Sequence, residues 1–169
     1  DIVVYRGSND KKLYDLSMLS TVPIINGLTD ESHPCQIMAD IMTLQENFDS
    51  LDELKICWVV DGNNVCNSWI HSCVHFNYDF KISCPPGSFP KKELLKRIGS
   101  SNIELYEDPY EAVKDADVII TDTWVSMGME NDPERLKKFK KFQINEKLME
   151  KTNKDTYFLH CLPAHRGCE

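Results

Sequence analysis

Four short stretches of this chain place reactive or polar groups where an apolar run ends or a helical pattern begins. Phe158-Leu159-His160-Cys161-Leu162-Pro163 is an apolar strand that delivers a histidine, a cysteine and a proline to its own C-terminal edge. His33-Pro34-Cys35-Gln36 opens a helical pattern, and Asp61-Gly62-Asn63-Asn64 joins a buried run to a helix. Asp122-Thr123-Trp124-Val125-Ser126-Met127-Gly128 follows another buried run. In an open α/β sheet the carboxyl ends of the strands are where ligands bind. Four such boundaries, all carrying polar groups, point to an enzyme site for a small molecule.

Each stretch also has a plainer explanation. Gly62 permits a tight turn, and either asparagine after it can cap the following helix. Alternatively, an amide and helix N–H groups there bind a carboxylate or phosphate. The GxGxxG spacing is missing, which excludes a dinucleotide fingerprint. Asp122 with Ser126 on a loop is suited to gripping an ammonium group, or the loop is held by its own side-chain bonds. His33 at a helix start is a cap-region residue or a donor to a developing oxyanion, with Gln36 facing the same side. Cys161 alone reads as a buried cysteine, and Arg6, at the end of the first strand, as a surface cation.

The elements that must position these groups follow from periodicity. Short β-branched or apolar runs at 2–5, 22–26, 56–60, 80–83, 103–106, 118–122 and 157–161 predict strands. Helical spacing covers 10–19, a helix entered at Pro34 that Asp30 or Ser32 can cap, 65–76, 90–98, 109–116, 133–139 and 144–150. From Lys55 onward strands and helices alternate. That pattern gives a doubly wound, mostly parallel, Rossmann-like α/β sheet with helices on both faces. The first two strands have too few neighbours to form a sheet alone. Residues 1–30 are therefore expected to be the tail of a second α/β domain, and residues 31–169 the main domain, truncated at its C-terminus.

Bulk properties narrow the function. The chain has 169 residues and a net charge of −8, which disfavours nucleic acid or an anionic membrane as partner. An anionic substrate must then be held by a few local cations. No apolar run approaches a membrane span, and no signal or transit peptide is visible. Seven cysteines without a CxxC pair form neither a disulfide framework nor a structural zinc motif, and suit a reducing compartment.

Taken together, His33-Pro34-Cys35-Gln36 with Ala39-Asp40 and Thr43, Asp61-Gly62-Asn63-Asn64, Asp122-Thr123-Trp124 with Ser126-Met127-Gly128, and His160-Cys161-Leu162-Pro163 resemble the ornithine carbamoyltransferases. Pro23-Ile24-Ile25-Asn26-Gly27-Leu28 is also similar, so the resemblance covers essentially the whole chain. It implies transfer of a carbamoyl group from carbamoyl phosphate to the δ-amine of L-ornithine, giving L-citrulline and phosphate, without metal or organic cofactor. By motif, Arg6 and His33 would polarise the carbamoyl oxygen. Gln36, with the backbone carbonyls of Cys161 and Leu162, would meet the carbamoyl amide. Asn64, Asp122, Ser126 and Met127 would hold the α-amino and α-carboxylate groups of ornithine. Cys161 would lie near the δ-amine, orienting it without forming an acyl-enzyme. Asn64, Asp122, Ser126 and Cys161 are thus expected to converge on one amino-acid-sized pocket.

The resemblance further implies a homotrimer in the cytoplasm, or in the mitochondrial matrix if a leader is missing. The family's Ser-Thr-Arg-Thr phosphate-binding segment and its C-terminal arginine are not among these residues, so the chain alone is expected to be inactive. Val60 stands where a glycine is common, and Cys168 where an acidic residue is common. The alternatives are a related transferase with another amine or amino-acid acceptor, and a non-catalytic ornithine-binding module.

Overall fold

Lys55–Val59 (β3) is apolar at every position from Ile56 because it is covered on both faces. Ile56 and Trp58 point into one core, Cys57 and Val59 into another. The computed structural model, which describes residues 1–99, 101–125 and 133–169, places this strand at the centre of a five-stranded sheet. The others are Asp79–Ser83 (β4), Ile103–Tyr106 (β5), Val118–Asp122 (β6) and Tyr157–Cys161 (β7). Their order is β5-β4-β3-β6-β7, and every pairing is parallel. The chain winds outward from β3 to β5, then returns to the other side of β3 for β6 and β7. The reversal leaves a crevice between the carboxyl ends of β3 and β6.

The first core is closed by Pro34–Asn47 (α2), Asn64–Ser72 (α3) and Lys92–Ile98 (α4), through Ile37, Ile41, Leu44, Val65, Trp69, Ile70 and Leu94. Phe139 of Pro133–Phe139 (α6) joins them. The second core takes Ala112 from Pro109–Ala112 (α5), Phe142 from a 3₁₀ turn at Lys140–Phe142, and Leu148 from Glu146–Met149 (α7). The sheet is therefore doubly wound, as the alternating pattern predicts.

Val3–Arg6 (β1) and Ile24–Leu28 (β2) form a separate two-stranded parallel sheet, joined by the helix Asp10–Leu19 (α1). The helix α2 bridges this part to the large sheet: it packs on β2 and α3, and its buried residues belong to the first core.

One expected detail is corrected. Neither Asp30 nor Ser32 caps α2; the N-cap is His33, whose side chain makes no cap bond. Ser32 Oγ instead accepts from Asn26 Nδ2 at 2.9 Å, and the His33 N–H donates to Ser68 Oγ at 2.7 Å. Partners outside the helix outcompeted the local cap.

The turn after β3 is tightly built. Val60 is fully buried and holds φ 149°, an unusual backbone for a β-branched residue, costing about 1–3 kcal/mol. Its N–H nonetheless donates to Ser83 O at 3.0 Å. Gly62 lies against the 88–90 segment: its N–H donates to Ser88 O at 2.7 Å, and a Cβ there would come within 2.3 Å of Pro90 N. Those are backbone atoms that cannot swing away. Gly62→Ala is expected to destabilise the protein by about 1–3 kcal/mol in urea unfolding, the cost of overpacking; an unchanged midpoint would contradict this packing.

Candidate active site

The first turn of α3 supplies most of the organisation at the crevice. Asn63 is the N-cap, and its Oδ1 accepts from the N–H groups of Val65 and Cys66, each at 3.0 Å. Its Nδ2 donates to Asp122 Oδ2 at 2.7 Å. One side chain thus closes the helix and anchors the carboxylate at the end of β6. Asn64 reaches the other way, with Nδ2 donating to Thr29 O at 2.7 Å. Asn67 Nδ2 donates to Glu31 O at 3.1 Å, and Ser68 Oγ donates to Asn64 O while accepting from His33 N–H. Successive residues of α3 therefore fasten the segment that enters α2.

Asp122 places a buried carboxyl group at the end of β6. Burial raises its pKa; the bonds from Thr123 N–H, at 2.7 Å, and from Asn63, together with nearby His160, pull it back. In the parallel ladder Asp122 lies beside Cys161. Cys161 is half-buried, and its Sγ lies 3.7 Å from Gln36 Oε1 as donor to acceptor. Burial, then the neighbouring carboxylates of Asp122 and Asp40, push the thiol up to about 12, with Arg6 opposing. At neutral pH the sulfur is a thiol, suited to hydrogen bonding and unsuited to nucleophilic attack.

His33 titrates below its ordinary range because it is desolvated and because Arg6 is near, while the Gly27 backbone bonded to the ring offsets part of this. Its Nδ1 is buried without a hydrogen-bond partner among the described residues. A neutral imidazole beside an arginine can polarise a carbonyl oxygen by donating from a ring N–H. On β7, His160 Nδ1 donates to Cys161 O at 2.9 Å, and Leu162, linked to Pro163 by a cis peptide, is exposed.

The structure thus brings Gln36, Cys161, Asp122 and Asn63 into a continuous run of contacts, with Arg6 close enough for its charge to act on both Cys161 and His33. Asn64 adjoins it through Asn63 and Ser68. Ser126 and Met127 lie outside the described residues. A cleft of about 460 Å³ beside the α3 N-terminus is lined by Asp61, Asn63, Asn64, Asn67 and Arg135, among others.

Three contributors went unassigned in the sequence. The motif could not say which asparagine caps the helix, so the Asn63–Asp122 bond was invisible. Asp40 stood within the resemblance motif but was given no role. Arg135 gave none: its guanidinium pairs with Asp61 and donates from Nε to Trp124 O at 2.5 Å, tying the exits of β3 and β6 together from a distant helix.

Comparison with known proteins gives the family. The profile of the "Aspartate/ornithine carbamoyltransferase, Asp/Orn binding domain" matches residues 52–169, and that of the "carbamoyl-P binding domain" of the same family matches residues 1–46. The ornithine carbamoyltransferase of Methanoculleus marisnigri is 43% identical over 172 residues, covering 100% of this chain and 56% of that protein. That of Agrobacterium fabrum is 44% identical over 171 residues, with the same cover. Among solved structures, ornithine carbamoyltransferase from Pyrococcus furiosus superposes with a TM-score of 0.91 at 43% identity, covering 99% of this chain and 56% of that one. The anabolic enzyme from Campylobacter jejuni gives 0.89 at 38% identity, covering 99% and 58%. The chain spans little more than half the length of these relatives. With both profiles matched in order along its length, the chain belongs to the aspartate/ornithine carbamoyltransferase family.

Proposed function

We propose that this chain forms the acceptor half of an ornithine carbamoyltransferase, which moves the carbamoyl group of carbamoyl phosphate to the δ-amine of L-ornithine and yields L-citrulline and phosphate. The observation that carries this is the run of contacts Asn63–Asp122 and Cys161–Gln36 at the switch point of the sheet, with neutral His33 and Arg6 alongside. Residues 1–30 belong, in this proposal, to the carbamoyl phosphate-binding domain and residues 31–169 to the ornithine-binding domain.

In the reaction the neutral δ-nitrogen forms a bond to the carbamoyl carbon, the carbonyl oxygen takes the negative charge, and collapse breaks the C–O bond to phosphate while the nitrogen sheds a proton. Arg6 and His33 stabilise the oxyanion; Gln36 accepts from the carbamoyl NH₂. Asp122 pairs with the α-ammonium of ornithine, and Asn64, Ser126 and Met127 hold its α-amino acid end. Cys161 touches the δ-amine as a thiol. Desolvation in the crevice lowers the amine's pKa toward the reactive neutral form. Holding both substrates in place contributes up to about 7–11 kcal/mol. The net charge of −8 leaves recognition of the anionic donor to local cations such as Arg6.

Among the described residues no helix is long and apolar enough to cross a membrane. We infer assembly as a homotrimer and a place in the cytoplasm or mitochondrial matrix by likeness to the family.

In a polypeptide of the relatives' full length containing these residues, His33→Ala is expected to lower kcat about 10²–10³-fold, the effect of losing one oxyanion donor, with ornithine binding spared. Citrulline formation and calorimetric titration of ornithine measure the two; unchanged turnover would remove His33 from the mechanism, and ornithine binding without turnover in the parent would favour a non-catalytic module. Cys161 supplies a pH test. With its pKa at about 12, only the minor thiolate reacts, so iodoacetamide labelling of this residue should be slow at pH 8 and rise steadily through pH 10. A plateau by pH 9 would show a thiolate inconsistent with the assigned role.

A further inference from the structure

Asp40 carries a charge that the fold does not need. It lies one turn beyond Gln36 on α2, half-buried, and among the described residues no cation pairs with it. Burial pushes its carboxyl up to about 6, against the bond from Gln36, so it stays ionised at neutral pH and above. Desolvating a carboxylate without a counter-ion is unfavourable. A neutral residue would serve the helix better, so the charge calls for another reason.

Its single described hydrogen bond supplies one. Gln36 Nε2 donates to Asp40 Oδ1 at 2.9 Å. The other end of the same carboxamide, Oε1, faces Cys161 Sγ at 3.7 Å. A glutamine amide offers two donors at one end and an acceptor at the other, whereas an ionised carboxylate can only accept. Asp40 therefore leaves Gln36 one orientation: NH₂ toward the helix, oxygen toward the crevice. Turning the amide over would set two acceptor oxygens against each other.

We propose that Asp40 is a positioning residue whose carboxylate locks the Gln36 amide oxygen toward the crevice, so that this corner of the site accepts a hydrogen bond and selects a donor substrate bearing an NH₂. The selectivity part rests on the carbamoyl-transfer reading; the locking of the amide does not. Acetyl phosphate matches carbamoyl phosphate in shape but presents a methyl group where the NH₂ would be. An acceptor oxygen locked toward that position favours the carbamoyl donor; a freely turning amide loses much of the distinction.

The locking is tested in a polypeptide of the relatives' full length containing these residues, by iodoacetamide labelling with Cys161 resolved from the other cysteines by peptide mass spectrometry. An asparagine at position 40 tolerates either orientation, so in Asp40→Asn the Gln36 NH₂ can turn onto the sulfur and stabilise the thiolate. Labelling of Cys161 should speed up about tenfold while buried Cys57 and Cys66 stay protected. In a Gln36→Met background, which has no amide to turn, Asp40→Asn should accelerate labelling by less than about threefold. Equal acceleration in both backgrounds would show that Asp40 acts by its charge alone and would overturn the proposal, as would no acceleration in the first. Should Asp40→Asn expose the core cysteines, Asp40→Glu takes its place. It keeps an acceptor-only carboxylate and should label within about twofold of the parent; tenfold acceleration there would also overturn the proposal. The selectivity is tested in the full-length enzyme, where Asp40→Asn should reduce the preference for carbamoyl phosphate over the inhibitor acetyl phosphate by about tenfold. An unchanged preference removes the selectivity. A labelling result as expected, beside a parent enzyme that makes no citrulline, leaves the locked amide standing and refutes the carbamoyl-transfer reading instead.

Discussion

The side chain of Asn63 has to satisfy two demands at once, and the crevice depends on its doing so. A helix beginning at the carboxyl end of a central strand leaves free N–H groups pointing at the place where a ligand would sit. Asn63 Oδ1 takes two of them, and its Nδ2 holds Asp122 on the next strand. Burial works against the ionised form of Asp122, and the Asn63 bond joins the Thr123 N–H and His160 in favouring it. The same bond fixes the carboxyl group against the start of α3. The next residues of the helix repeat the device toward the other wall, where Asn64, Asn67 and Ser68 bind the backbone of Thr29, Glu31 and His33. One helical turn thereby sets the distance between the two walls.

The chemistry divides along the same line. On the wall formed by α2 and the end of β1 are His33, Gln36 and Arg6, a set of polarising groups. On the wall formed by β6 and β7 are Asp122 and Cys161, a carboxylate and a thiol. Only an acid-tolerant sulfur, kept protonated by burial and by two neighbouring carboxylates, can sit beside Asp122 without adding a second negative charge. In the proposed reaction the first wall would polarise the carbonyl and the second would receive the amine, the division that attack of an amine on a carbonyl requires. The ion pair of Asp61 with Arg135 braces the strand exits along the cleft beside the α3 N-terminus.

Much of this was legible in the sequence for identifiable reasons. β3 and β6 are apolar on both faces, and a strand of that kind must be central, so the parallel sheet and its two helical layers follow from composition and spacing. The motif positions were visible because they interrupt apolar runs. The bonding partners were not. Asn63 and Asn64 are chemically identical neighbours, and only the fold decides that one turns to Asp122 and the other to Thr29. Ser32 has every local quality of a helix cap, yet Asn26 claims its hydroxyl and His33 takes the cap position. Arg135 acts across 74 residues of sequence, a range at which no local pattern can speak. Val60 is the opposite case: its departure from a common glycine could be seen beforehand, and the backbone accordingly holds it at φ 149°.

The claim on which these relations rest is that Asn63 and Asp122 form an energetically coupled pair spanning the switch point. A double-mutant cycle of Asn63→Ala and Asp122→Ala, followed by urea unfolding, measures it directly. A charged hydrogen bond of this kind should give a coupling energy of about 1.5–3 kcal/mol. Additivity of the two substitutions to within about 0.5 kcal/mol would mean that the carboxylate is held by something else, and the crevice as described would not stand.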